Sequence, residues 1–144
     1  MFVVLDAGPL GLLSNPRGGA LAGAVTAWAD SVAARGDDLV IPEISDYEVR
    51  RELLRASLLG SVRRLDQLAN DLDYAPLTTA QLRLAADFWA EARNLGRSTA
   101  PDHALDGDVI LAAQARLVGG DVVVATTNPA HLSRYVEARR WDEI

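Results

Sequence analysis

Acidic and amide side chains stand where buried segments of this chain meet polar turns, and carboxylates in such places can do chemistry. Asp6 follows the apolar run Phe2, Val3, Val4, Leu5. Asp106 and Asp108 open the segment LDGDVILAAQA, which from Asp108 onward is apolar apart from Gln114 and so describes a helix buried against a sheet. Asn128 follows a strand-like run at 121–125 through Thr126 and Thr127. An Asp at a helix start also has a simpler use, capping unpaired N–H groups. Both readings stay open for Asp6, Asp106 and Asp108 taken singly, and convergence on one point decides between them. Oxygen donors with no Cys, and with only the isolated His103 and His131, suit Mg²⁺ or Mn²⁺. Two such ions held close together would activate water and stabilise the leaving oxygen of a phosphodiester.

Positioning these groups falls to an alternation of short buried strands and helices. Strands are predicted at 2–5, 39–41, 74–77 and 121–125. Helices are predicted from Pro9 to Ser14, over 20–34, from Pro42 to about Ser57, over 61–73, from Thr78 to Gly96, and from Leu105 to Gly119. The buried faces read as Leu21, Val25, Trp28 and Val32; as Val62, Leu65, Leu68 and Leu72; and as Leu82, Ala85, Phe88, Trp89 and Ala92. In the helix that starts at Pro42, residues Ile44, Tyr47, Arg51 and Leu54 fall along one side, while Glu48 shares a stripe with Ile41, Ile44 and Glu52 that leaves its inward placement open. Segment 97–104 reads as loop, 129–135 as a short helix, and Trp141 as a candidate interface anchor. Together they predict one domain over 1–144, a three-layer α/β/α sandwich with a short, mostly parallel central sheet. Asp6, Asp108 and Asn128 can then reach one sheet edge, the edge where open α/β sheets bind ligands.

Composition removes other chemistries. All 14 basic residues are Arg, so mechanisms that need an ammonium group, Schiff bases and P-loop nucleotide binding among them, are excluded. The lack of cysteine excludes disulfides and thiolate metal sites. A net charge of −6 speaks against a general nucleic-acid binder, yet local Arg clusters still reach phosphates where metal offsets an acidic site. Arg50, Arg51 and Arg55, and also Arg134, Arg139 and Arg140, are candidates for phosphate or partner contacts, or for pairing with neighbouring acids. With no membrane-length apolar run and no leader pattern, a cytoplasmic, membrane-free setting is expected.

At these residues the chain resembles the PIN-domain ribonucleases, including the VapC-type toxins of toxin–antitoxin pairs. VVLDAGPL is similar to the family's first strand with its leading Asp, IPEISDYEVRREL to the second acidic motif with Glu48 six residues after Pro42, LDGDVILAAQA to the third motif, and VVVATTNPAHL to the closing strand and its T-x-N turn. The resemblance implies Asp6, Glu48 and Asp108 as metal ligands, with Asn128 completing the pocket and Asp106 as a fourth carboxylate or a cap. It further implies an Mg²⁺- or Mn²⁺-dependent endoribonuclease acting on RNA, a homodimer, and an antitoxin partner that lies across the acidic cleft. The family often carries Thr or Ser two residues after the first Asp, where this chain has Gly8. The alternative is a PIN-fold module that binds RNA or a protein without catalysis. Phosphatases and receiver domains also place an Asp after a first strand, but they lean on Lys.

Overall fold

The structure, a computed structural model, describes residues 1–15, 17–96 and 102–144, without the side chains of Asp102 and His103. Five strands, β1 (Phe2–Leu5), β2 (Asp38–Pro42), β3 (Asp73–Ala75), β4 (Val122–Thr126) and β5 (Ala138–Arg140), form one sheet in the order β3-β2-β1-β4-β5. Every pairing is parallel, with Val3 opposite Leu39 on one side and Val123 on the other. Parallel neighbours need crossovers, and helices supply most of them: α1 (Ala7–Leu13), α2 (Gly19–Ala34), α3 (Glu43–Arg55), α4 (Leu59–Asp71), α5 (Thr79–Asn94) and α6 (Asp102–Val118).

Side chains alternate across the sheet and so divide the core in two. Val3, Leu5, Leu39, Ile41, Val123 and Ala125 face α1, α2, α3 and α4. Val4, Val40 and Val124 face α5 and α6. The expected three-layer α/β/α sandwich is therefore observed, with a sheet that is parallel throughout its described strands.

Several predicted faces turn out differently. Leu21, Tyr47, Leu54 and Leu82 are each about half exposed or more, at 55%, 58%, 53% and 48%. In α3 the buried side is Ile44, Ser45, Asp46, Val49 and Leu53. Asp46 tolerates burial because Arg50 donates to it at 2.8 Å and the Tyr74 hydroxyl at 3.1 Å, while Arg50 also reaches Asp66 at 2.7 Å. Trp141 is no free anchor, since it packs edge-on against Trp28 with ring centroids 5.8 Å apart. Residues 97–101 of the expected loop lie outside the described residues, but 102–104 are already helical, so α6 starts earlier than predicted. Among the described residues no helix is long and apolar enough to cross a membrane.

The α3–α4 turn is tight. Ser57 takes a left-handed φ of 57°, its N–H donates to Leu54 O at 3.1 Å, and Leu58 N–H donates to Leu53 O at 2.9 Å. This is the Schellman pattern, formed here with Ser in the usual Gly position.

Candidate active site

Asp6 is held by the neighbouring strand β4 and by the first residue of α1. Its N–H donates to Ala125 O at 3.0 Å, which extends the β1–β4 ladder by one residue. Its Oδ1 accepts from Ala7 N–H at 2.7 Å, so part of the capping reading is correct. Its Oδ2 accepts from the Thr126 hydroxyl at 2.6 Å, and that hydroxyl accepts in turn from Asn128 N–H at 3.1 Å. Each carboxylate oxygen keeps a further lone pair. Thr126 is 1% exposed, so the relay is dry and fixes the carboxylate's orientation. Space for a side chain at Gly8 is already taken: an added Cβ would lie 2.9 Å from Thr127 Cγ2 and 3.2 Å from its Oγ1. Hydroxyls at this corner therefore come from β4 and its turn.

Glu48 and Asp108 meet across the junction of α3 and α6. An added Cβ on Gly107 would overlap Glu48 Oε1, so Glu48 points inward onto the backbone beside Asp108. The missing side chain at Gly107 gives Glu48 its seat. Burial lifts the Glu48 carboxyl above its ordinary range and Asp6 adds to the rise, while Arg51 opposes it and Asp108 reinforces it. Asp108 is likewise raised, first by burial; His131 opposes, Asp6 reinforces and Arg134 opposes. Asp6, Glu48 and Asp108 are thus neighbours that feel one another's charge.

Gln114 fixes the angle between the two helices. It is fully buried, accepts from Ile44 N–H at 3.1 Å and donates to Ala75 O at 2.7 Å. Because Pro42 offers α3 no side-chain cap, the Gln114 carbonyl caps that helix from a distance of 70 residues in sequence.

Asp106 is not part of this cluster. Two residues from Asp108 on a helix is about 200° around the axis, and Asp106 is exposed, lining a groove of about 280 Å³ with Leu82, Ala85, Trp89, Val109 and Ile110. Since α6 begins at Asp102, Asp106 does not cap it either. Asn128 contributes its backbone amide to the Thr126 relay, and its side chain is exposed. His131, read from sequence as a surface residue, is 54% exposed, yet its Nδ1 lies 3.5 Å from Asp108 Oδ2. The side chain of His103 lies outside the described residues. Of the arginines in α3, Arg50 is held by Asp46 and Asp66 and Arg55 by Glu52. Arg51 lies 5.2 Å over the Tyr47 ring and is the one whose charge reaches Glu48.

The donor set fits a hard divalent cation. All its groups are oxygens, the carboxylates come from β1's end, α3 and α6, and their mutual repulsion favours a positive charge between them. Among the described residues no group of three or more His, Asp or Glu side chains is gathered closely enough to hold a metal ion. Mg²⁺ does not require such a group, because it keeps several waters and takes only one or two carboxylates directly.

This edge is also the topological switch point, since the chain leaves β1 toward β2 on one side and β4 leads to β5 on the other. The structure is similar over 99% of its length to VapBC2 from Rickettsia felis bound to a DNA fragment from their promoter, with a TM-score of 0.76, 14% identity and 100% of that chain covered. The fold is PIN-like. Similar too are FitAcB from Neisseria gonorrhoeae, with a TM-score of 0.70 and 19% identity, and VapBC-1 from nontypeable Haemophilus influenzae, with 0.68 and 17%, each over 99% of both chains. No family model matches the chain and no curated protein matches it. At such identities the likeness to PIN-like structures is one of fold.

Gly107→Ala separates site geometry from stability. The added methyl improves helix propensity by up to about 1 kcal/mol and displaces only the flexible end of Glu48. The variant is expected to melt no lower than the parent while losing divalent-ion affinity, read by calorimetric titration with Mn²⁺.

Proposed function

We propose that the chain is a metal-dependent endoribonuclease, the toxin of a toxin–antitoxin pair. The observation that carries this is the convergence of Asp6, Glu48 and Asp108 from three separate elements on the sheet's switch-point edge, each raising the others' proton affinity or bearing that effect. Asp6, Glu48 and Asp108 would hold Mg²⁺ or Mn²⁺ there. When bound, such an ion supplies an activated water at neutral pH and charge stabilisation for a phosphodiester's oxygens.

The remaining chemistry belongs to the protein. Thr126 keeps Asp6 oriented, and Gly107 leaves room for Glu48. Arg51 and Arg134, whose charges reach Glu48 and Asp108, lie where a substrate phosphate would be drawn in. Two structural neighbours are VapBC pairs, which supports a protein partner for this chain too. We place that partner across the acidic edge, with arginines meeting its carboxylates, and take the toxin as a homodimer.

The test is cleavage of a mixed cellular RNA pool by purified protein with Mg²⁺ or Mn²⁺, beside EDTA. Fragments formed only with metal are expected. Intact RNA after incubation with folded, partner-free protein sinks the nuclease reading and leaves a binding module.

A further inference from the structure

On the same helical layer as α1 and α3, but at their far ends, is a groove of about 510 Å³ between the end of α1 and the start of α4. Asn15, Arg17, Ser57, Leu58, Leu59, Gly60, Ser61 and Arg63 line it, with no acid among them. The first turn of α4 opens into it. Leu58 provides no side-chain cap, so the first amides of this 13-residue helix point out unpaired, and their partial positive charge is uncompensated.

Two further observations make this a site for a ligand. Ser61 is only 8% exposed and lines the groove, yet its hydroxyl makes no hydrogen bond among the described residues. Its oxygen is not among the buried side-chain atoms that lack a partner, so it stays open to the groove's solvent and is free to donate to a group seated there. Arg17 and Arg63 are exposed and have no acidic partner among the described residues. The Arg63 guanidinium nevertheless folds over the first turn, its Nη2 being 3.9 Å from where a Gly60 Cβ would stand. Cations at a helix N-terminus are of the wrong sign for the dipole. An anion between them reverses that sign, accepting from the amides, the Ser61 hydroxyl and the guanidinium groups.

We propose that this groove is a phosphate subsite for the backbone of single-stranded RNA bound at the acidic edge. Choosing RNA as the source of the phosphate rests on the ribonuclease reading. Asp6 to Asn15 along α1 and Glu48 to Ser57 along α3 each run about 13 Å. The subsite thus holds a phosphate a short way along the strand from the bond placed at the carboxylates. It contacts backbone only and sets register without reading sequence.

The experiment is fluorescence anisotropy of a short labelled RNA of mixed sequence, with EDTA present, across a series of KCl concentrations. The full chain is compared with Arg17→Ala, Arg63→Ala, Ser61→Ala and, as a control on the opposite layer, Arg83→Ala. Each of the first two is expected to bind roughly tenfold more weakly and to flatten the log–log salt slope by about 0.7, one phosphate contact on a single strand. Ser61→Ala is expected to weaken binding with the slope unchanged, Arg83→Ala to do neither, and Arg17→Lys or Arg63→Lys to keep the parent's slope.

Equal slopes in all variants, or no RNA binding by the parent, overturn the subsite. Equal competition by a polyglutamate peptide, with the same arginine dependence, also overturns it and assigns the groove to an acidic protein segment. Because binding is read without metal, the two ideas fail separately. RNA held through Arg17 and Arg63 but left uncut with Mn²⁺ sinks only the nuclease, while RNA cut with unaltered slopes sinks only the subsite.

Discussion

Asp108→Asn is expected to abolish metal-dependent RNA cleavage and, at the same time, to make the metal-free protein more stable. On activity, loss of even an outer partner of a metal site costs about 10–100-fold, so removing a carboxylate from the cluster should exceed roughly a hundredfold. On stability, burial makes the charged Asp108 carboxylate less favourable in the folded protein than in the unfolded chain, and Asp6 adds to that cost while His131 and Arg134 offset part of it. Relief of such a functional cost commonly yields about 0.5–2 kcal/mol.

The pH dependence has a definite sign. Glu48 and Asp108 take up protons more readily folded than unfolded, so their contribution favours folding fully below the ordinary carboxylate range, about 4, and is lost as pH rises through their raised values. The advantage of Asp108→Asn in melting temperature over the parent, both in EDTA, should therefore be largest near neutrality and shrink on acidification toward that range. Saturating Mn²⁺ should stabilise the parent and not the variant. A variant that melts lower than the parent at neutral pH contradicts the electrostatic account.

Gln114→Leu should be the most damaging single change away from the acids. Leucine fills similar space in an apolar helix, but it leaves Ile44 N–H and Ala75 C=O without their partners. Each unsatisfied buried group costs about 1–3 kcal/mol, so a loss of about 2–6 kcal/mol is expected. For a domain of this size that is a fall in melting temperature on the order of 5–15 °C. Activity should fall further than stability explains, since the freed end is the start of α3, which carries Glu48. Thermal melts and cleavage at a temperature where both proteins are folded separate the two effects.

Much of this fold was legible because its signals are local and strong. The apolar runs before Asp6 and Thr126, the Thr78 cap that forms a capping box with Gln81, and Gly96, Gly119 and Gly120 at positive φ all mark element ends where they were expected. Helix faces were less legible. In α3 the buried positions include Ser45 and Asp46, whose polarity hides them, while Tyr47 and Leu54 point outward. The start of α6 was masked by Pro101, Asp102 and His103, a composition that suits a loop and equally suits a helix's first turn.

Within the candidate site, Asp6, Glu48 and Asp108 were nameable from their motifs, and the structure brings them together. The roles of Thr126, Gly107 and Gln114 were not, because each depends on a partner far away in sequence. His131 followed the same rule: its approach to Asp108 arises from the turn at Asn128 and Pro129, which carries the chain back over the sheet edge. A lone Gln in an otherwise apolar helix was the one visible hint of the α3–α6 tie.

The strand order also sets a timetable. β1 is made first but lies in the middle of the sheet, and one of its two neighbours, β4, starts only at Val122. The hydroxyl that orients Asp6 arrives 120 residues after it. Contacts this distant in the chain form late and slowly. A nascent chain still lacking β4 has neither that hydroxyl nor the Ala125 carbonyl that receives the Asp6 amide, so its acidic edge stays unassembled through most of translation.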